Sequence, residues 1–199
     1  MDRSREDSFT REGCELQMNH LVAIVGMCGS GKSKVTEIFL KKGWNCIYFG
    51  GVTISELEKN NLPLNEENER VVREQLRREL GPAAFAIKLE NSIRDSVEKS
   101  NTVLDGLYSW QEYTKLKEIF GANLIVVAIV TNRFIRYNRL SNRKVRPLTA
   151  VDAEKRDYAE IEYLYKGGPI AIADYYIDNN SDEASLTNQI VEFLRGIGT

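Results

Sequence analysis

The stretch that decides the fold is His20-Leu-Val-Ala-Ile-Val-Gly-Met-Cys-Gly-Ser-Gly-Lys-Ser33. Its first six residues form a continuous apolar run, which is typical of strands buried on both faces of a parallel sheet. From Lys32 to Lys42 the sequence carries Val35, Ile38 and Phe39 at helical spacing, and Gly43 follows as a stop signal. The stretch therefore predicts a buried strand, a glycine-rich turn and a helix, in that order.

The turn fits the Walker A pattern, in which two glycines separated by four residues precede Lys and Ser. Glycines at positions 26, 29 and 31 can adopt positive φ, so that successive N–H groups wrap a polyphosphate at the positive end of a helix. Lys32 is then expected to reach the β and γ phosphates, and Ser33 to bind magnesium. The alternative is a glycine turn that only caps a helix, but the strand and helix on either side favour nucleotide binding.

We accordingly predict an ATP site that draws on the whole turn and the start of its helix: Gly26, Cys28, Gly29, Ser30, Gly31, Lys32, Ser33 and Lys34. For Cys28 the backbone is expected to matter more than the thiol, and a redox role is the alternative. Asp105 closes the apolar run Thr102–Leu104 and precedes Gly106. A carboxylate there is suited to hold magnesium beside the turn, unless it only begins a turn before the glycine. Ser33 and Asp105 are thus the predicted metal ligands, and Lys32 and Asp105 are candidate catalytic residues.

Four further apolar runs recur along the chain: Cys46–Phe49, Thr102–Leu104, Leu124–Val130 and Tyr175–Ile177. Helical sequence separates each run from the next, which implies parallel pairing through right-handed crossovers. The predicted fold is therefore α/β, a three-layer P-loop NTPase fold with about five parallel strands and helices on both faces. We expect one domain over residues 18–199, preceded by a disordered leader at residues 1–17, because that segment is polar and lacks an apolar core.

Two segments interrupt the alternation of strands and helices. Residues 52–99 are almost entirely helical, with Pro82 opening a further helix, and we interpret them as a flap for the acceptor substrate. Residues 142–150 are basic and include Thr149, a predicted N-cap for a helix beginning near Val151. This second segment predicts a short lid.

Five arginines and Lys144 lie between Arg133 and Arg146, without a single acidic residue. Arg136, Arg139 and Arg143 fall at i, i+3 and i+7, which predicts that they share one helix face. A solvated surface or a nucleic-acid patch would also be basic, but phosphoryl transfer needs cations around the moving group, and this favours an arginine-rich lid.

Composition bounds the remaining classes of function. The net charge of −2 disfavours a nucleic-acid partner. The longest purely apolar run, Leu124–Val130, has seven residues, far short of the roughly 20 that a membrane-spanning helix needs. Three cysteines and a single histidine make disulfides, zinc sites and triad chemistry poor interpretations. We expect a soluble, cytoplasmic protein, either a monomer or a homodimer, that acts on small molecules.

Taken together, these residues resemble the nucleoside monophosphate kinases of the adenylate kinase group, including the adenylate-kinase-related and dephospho-CoA-kinase-like proteins. The likeness covers about residues 20–195. Besides the glycine turn, it rests on five places: Leu104-Asp105-Gly106, Arg139-Leu-Ser-Asn-Arg143, Arg156-Asp157, Ile172-Ala-Asp174 and Asn179. The resemblance implies a kinase that uses ATP and Mg²⁺.

The resemblance also implies roles for single residues. Arg139 looks like the arginine that stacks on adenine, and Arg143 like its neighbour on the phosphates. Arg156 looks like a lid-helix arginine that stabilises the moving phosphoryl group, although a salt bridge with Asp152 or Glu160 is equally open. Asp105 resembles the carboxylate that organises magnesium.

The acceptor side departs from these relatives. After the second strand they tend to show Gly-Asp and then an Arg that grips the acceptor phosphate, whereas this chain has Gly50-Gly-Val-Thr-Ile-Ser55. Arg73, Arg77 or Arg78 could substitute, and Tyr108 and Trp110 could stack on a base or simply pack. The main hypothesis is transfer of the γ-phosphoryl group to a nucleotide-like acceptor. The alternatives are a hydroxyl-directed kinase of the dephospho-CoA or nucleoside type and a P-loop ATPase that acts as a regulator.

Overall fold

Five parallel strands form one sheet in the computed structural model, which describes residues 19–199. They run β1 Leu21–Val25, β2 Asn45–Tyr48, β3 Thr102–Asp105, β4 Leu124–Val130 and β5 Tyr175–Asp178. Their order across the sheet is β2-β3-β1-β4-β5, with β1 in the centre. The predicted leader falls outside the described residues.

The helices of the described residues follow in chain order. They are α1 Lys32–Lys41, α2 Gly50–Lys59, α3 Glu66–Leu80, α4 Ala84–Lys99, α5 Trp110–Phe120, α6 Arg133–Asn142, α7 Ala150–Glu162, α8 Gly167–Ala171 and α9 Glu183–Gly196. Thr149 caps α7 as predicted, because its hydroxyl accepts the N–H of Asp152 at 3.1 Å. None of them is long and apolar enough to cross a membrane.

The central strand β1 is buried on both faces, which explains why its sequence is apolar throughout. Val22 and Ile24 pack with α1 and α9 on one side of the sheet. Leu21, Ala23 and Val25 pack with helices α2 to α5 on the other side. The predicted α/β fold, with five parallel strands and helices on both faces, is confirmed.

Two features of the sequence interpretation need correction or extension. The helix α6 ends at Asn142 and Arg143 has extended backbone geometry, so Arg143 does not share a helix face with Arg136 and Arg139. The short helix α8 was not predicted, because Gly167-Gly168-Pro169 is typical of a turn. The predicted flap corresponds to three helices, α2 to α4, and the predicted lid to the irregular segment between α6 and α7.

The register of the sheet places the candidate residues at one edge. Ile24 of β1 pairs with Asp105 of β3, and Val25 pairs with Ala128 of β4. Because all strands are parallel, their carboxyl ends meet at the same edge, where ligands of open α/β sheets bind. The glycine turn leaves β1 at this edge.

Candidate nucleotide-binding site

The backbone of the glycine turn depends on glycine at three positions. Gly26, Gly29 and Gly31 have φ values of 150°, 79° and 96°, a range that residues with a Cβ rarely adopt. A Cβ on Gly26 would lie 2.7 Å from the carbonyl oxygen of Ile129, and one on Gly29 would lie 2.9 Å from that of Arg136. The turn is therefore packed tightly against the sheet edge and α6, with its amides around the first turn of α1.

The ammonium group of Lys32 lies across the mouth of this turn. Its Nζ donates to the carbonyl oxygens of Gly26 at 2.8 Å and Met27 at 3.1 Å. Burial lowers the pKa of Lys32 to about 8, helped by the nearby charge of Lys166 and opposed by Glu160. At neutral pH the group still carries most of its charge, and it lies where a polyphosphate would meet the loop.

The two predicted magnesium ligands fit a site of this kind. Burial raises the pKa of Asp105, against the opposing effects of the Thr36 hydroxyl and Lys32. Ser33 is exposed at the start of α1, and its hydroxyl makes no hydrogen bond to any residue in 19–199. Magnesium is usually bound through one or two protein oxygens together with substrate phosphates, and a hydroxyl and a carboxylate are oxygen ligands of that kind. No group of three or more His, Cys, Asp or Glu side chains in the described part of the chain is placed to hold a metal alone.

A carboxylate that the sequence analysis named only as an alternative partner of Arg156 lies against the turn. Glu160 of α7 is buried, and its Oε2 accepts the N–H of Cys28 at 3.0 Å and a hydrogen bond from Lys166 Nζ at 2.9 Å. Its Oε1 accepts from Arg156 Nε at 3.2 Å. Burial raises the pKa of Glu160, but Lys166 and Lys32 outweigh it, so the net shift is downward and the group is ionised.

Two arginines of α6, the helix before the lid, are held by partners distant in sequence. Arg136 forms a buried two-pronged ion pair with Asp157 of α7, at 2.7 and 2.6 Å, and also donates to the Cys28 carbonyl at 3.0 Å. Arg139 donates to the Asn179 carbonyl at 2.9 Å, while its second nitrogen, NH1, is buried and has no hydrogen-bond partner among residues 19–199. That side chain lies beside Gly31 and offers a donor at the nucleotide end of the loop.

The other predicted site residues lie further out. Arg143 Nε contacts the Arg146 carbonyl within the lid, and Arg156 is half exposed in its ion pair with Glu160.

The Lys34 ammonium pairs with Glu183 at 2.8 Å, and its backbone N–H donates to Gly31 O, so the structure does not bring Lys34 into the loop. The hydroxyl of Ser30 is buried and has no hydrogen-bond partner in the described part of the chain, while its carbonyl accepts a hydrogen bond from the side chain of Asn179.

Two of the flap arginines named as candidates for the acceptor already contact neighbouring side chains. Arg73 is engaged by Glu66 and Glu69, and Arg77 lies over the ring of Phe85. Arg146 of the lid reaches the same Glu69 at 2.7 Å and so joins the lid to the flap helix α3.

Tyr108 and Trp110 both pack. Tyr108 lies in the core with Lys166 Nζ 5.2 Å from its ring centre, and Trp110 packs on Tyr113. Close by, burial raises the pKa of Glu112 to about 7, opposed by the Tyr108 N–H and by Arg77.

A cavity of about 490 Å³ lies elsewhere, lined in part by His20, Trp44 and Asn101. These residues precede β1, β2 and β3, so the cavity is at the amino-terminal edge of the sheet. The amides of the glycine turn and the ammonium of Lys32 lie at the opposite edge, which is why the candidate nucleotide site is assigned there and not to the cavity.

The strand order and the glycine turn between β1 and α1 define a kinase-like P-loop fold. Solved structures agree: a protein from Thermus thermophilus superposes with a TM-score of 0.60 at 16% identity, covering 92% of this chain and all of that one. A gluconokinase from Sinorhizobium meliloti gives 0.57 at 15% identity over 90% of this chain and 94% of its own. Dephospho-CoA kinase from Campylobacter jejuni gives 0.53 at 18% identity, over 90% and 98% of the two chains. At such identities the matches establish the fold.

Sequence comparison identifies the family. The model of the "AAA domain" family matches residues 22–161. UPF0200 proteins from Thermococcus onnurineus and Thermococcus kodakarensis are 33% and 37% identical over 181 and 178 residues. The alignments cover 89% and 87% of this chain and 97% and 96% of those relatives. The chain belongs to the UPF0200 family and, within P-loop proteins, to the family of this AAA domain.

Proposed function

We propose that the chain is an ATP- and Mg²⁺-dependent phosphotransferase that moves the γ-phosphoryl group to a nucleotide or nucleotide-like small molecule. The observation that carries the proposal is the position of Lys32, whose ammonium bridges the carbonyls of Gly26 and Met27 at the mouth of the glycine turn. A cation held there by weak carbonyl partners is available to a triphosphate, which is the stronger acceptor.

The donor site follows from the residues around Lys32. Backbone amides of the turn and of the first turn of α1 bind the phosphates, and the Ser33 hydroxyl and Asp105 carboxylate hold Mg²⁺. When bound, the ion neutralises charge on the β and γ phosphates. Arg139 supplies its unpartnered N–H at the same end of the site. Catalysis then comes from positioning and charge stabilisation, without a covalent enzyme intermediate.

The lid completes this donor site in the proposal. Arg143 lies in the irregular segment between α6 and α7, and Arg156 lies on the outer face of α7. Closure of that segment over bound nucleotide would bring further cations to the transferring group and exclude water. In this proposal the lid acts as the arginine-bearing lid of the adenylate kinase group does.

A second acceptor class, a hydroxyl group, is favoured by one observation. Asp105 is a half-buried carboxylate at the edge of the sheet, and desolvation raises its pKa; such a group suits a general base for an alcohol. Arg73, a candidate to hold an acceptor phosphate, is already paired with Glu66 and Glu69. The choice between the two acceptor classes therefore rests on assay.

The test is incubation of the full chain with γ-labelled ATP, Mg²⁺ and a panel of acceptors: nucleoside monophosphates, nucleosides, dephospho-CoA and sugar-like alcohols. We expect label in one acceptor class, with loss of at least about a hundredfold in Lys32→Ala, because that variant removes a phosphate contact made in the transition state. Lys41→Ala, at the exposed end of α1, is the matched control and should leave turnover unchanged.

Two results would contradict the proposal. Label released only as inorganic phosphate, whatever the acceptor, would favour a P-loop ATPase that regulates a partner. Full turnover in Lys32→Ala would remove the loop from the reaction altogether.

A further inference from the structure

Lys166 and Glu160 form an ion pair that is almost completely removed from solvent. Lys166 Nζ lies 2.9 Å from Glu160 Oε2, and the two side chains are only 2% and 3% exposed. Taking two such charges out of water costs several kcal/mol for each ion, and apolar side chains of similar volume are often equally or more stabilising. Stability alone does not explain why this pair is buried.

The backbone before Lys166 is unusual as well. Tyr165 has a φ of 50°, which is uncommon for a bulky residue. The turn returns the chain against α7, where the N–H of Lys166 donates to the carbonyl of Glu160 at 3.0 Å. Both the backbone N–H and the side-chain ammonium of Lys166 therefore contact Glu160, and the strained turn at Tyr165 holds them there.

The same carboxylate oxygen connects this pair to the glycine turn. Glu160 Oε2 accepts the N–H of Cys28 at 3.0 Å, in addition to the ammonium of Lys166. The charge of Lys166 also helps to lower the pKa of Lys32, after the larger effect of burial. An anion therefore already lies between a loop N–H and the ammonium of Lys166, an environment of the kind that phosphate oxygens require.

We propose that Lys166 is a second phosphate-binding lysine and that Glu160 is the internal anion that a triphosphate replaces. This proposal rests on the proposed function, because it concerns the same ATP site. Without nucleotide, Glu160 holds the Lys166 ammonium and the Cys28 N–H. With nucleotide, a phosphate oxygen takes both donors, and Glu160 keeps its other partner, Arg156, on Oε1.

Tyr108 supports the ammonium during this exchange. Lys166 Nζ lies 5.2 Å from the centre of the Tyr108 ring, within the range of a cation–π contact. Among the described residues, the Glu160 carboxylate is the only recorded hydrogen-bond acceptor of that ammonium, which has three N–H groups to offer. The ring holds the charge in place without using any of them.

The test is calorimetric binding of MgATP and of inorganic triphosphate to the full chain and three variants. Lys166→Met should bind both ligands about tenfold more weakly, because it loses a charge-assisted hydrogen bond to phosphate. Glu160→Gln should bind at least as tightly as wild type, because the competing charge is gone while the side chain keeps its size.

The double variant Glu160→Gln/Lys166→Met protects the test against misfolding, since it leaves no unpaired charge at the pair itself. It should bind about tenfold more weakly than Glu160→Gln alone. Lys115→Met, which breaks the exposed pair with Glu118 on α5, is the control and should match wild type.

Equal affinities in Glu160→Gln and the double variant would overturn the inference, as would a loss in Glu160→Gln as large as that in Lys166→Met. Either result would make the pair a structural clamp. A wild-type chain that binds neither ligand would instead reject the proposed function, so the two failures are distinguishable.

Discussion

Gly31 joins the glycine turn to the loop after β5. Its φ is 96°, and a Cβ at this position would lie 2.2 Å from the side-chain nitrogen of Asn179. That nitrogen donates to the carbonyl of Ser30 at 2.7 Å, so the amide of Asn179 fixes the shape of the loop directly. At the scale of single residues, the shape of the loop therefore depends on the absence of a Cβ at Gly31.

We predict that Gly31→Ala destabilises the protein through a steric clash with Asn179 in addition to backbone strain. Gly43 provides the comparison, since its φ is 83° and a Cβ there would meet no atom of another described residue within 4 Å, its chain neighbours apart. Gly43→Ala should cost about 1–2 kcal/mol of unfolding free energy from strain alone. Gly31→Ala should cost more, because Asn179 must release Ser30, and it alone should lose nucleotide binding. Urea unfolding and MgATP titration measure both effects, and matching values in the two variants would contradict this account.

The helices α6 and α7 form the element that carries the lid, and a buried ion pair ties them together. Arg136 and Asp157 meet at 2.6 Å with side chains 7% and 12% exposed, and Arg136 also holds the carbonyl of Cys28 in the loop. A second pair between the same helices, Arg133 and Glu154, is 3.8 Å apart and largely exposed. The two pairs offer a matched contrast between a buried and an exposed ion pair.

Breaking the buried pair is predicted to be costly at the level of this element. Asp157→Ala should lower the unfolding free energy by about 3–5 kcal/mol, because it leaves the Arg136 charge buried without its partner. Glu154→Ala should change it by less than about 1 kcal/mol, since its pair is exposed and screened by water. Chemical denaturation of both variants gives the values. Equal losses would show that Asp157 does not anchor the lid helices.

Across the whole molecule, the sequence predicts the framework better than the charge pairing. Strand β4 is an unbroken apolar run, and the turn after β1 has a fixed pattern of glycines, so both could be located from local sequence. Partners such as Asp157 could not, because counting acids near Arg136 along the chain misses a helix that begins fourteen residues later and folds back onto it. Lys166 carried no local signal at all, since its burial depends on how the chain turns after α7.

The central claim is that backbone amides and the ammonium of Lys32 hold the triphosphate of ATP. A calorimetric titration of MgATP into the full chain tests this claim most directly. We predict a saturable heat that inorganic triphosphate competes away and that Lys32→Ala abolishes without lowering the melting temperature. An absence of heat and of competition at millimolar nucleotide in the folded wild-type chain would contradict the claim.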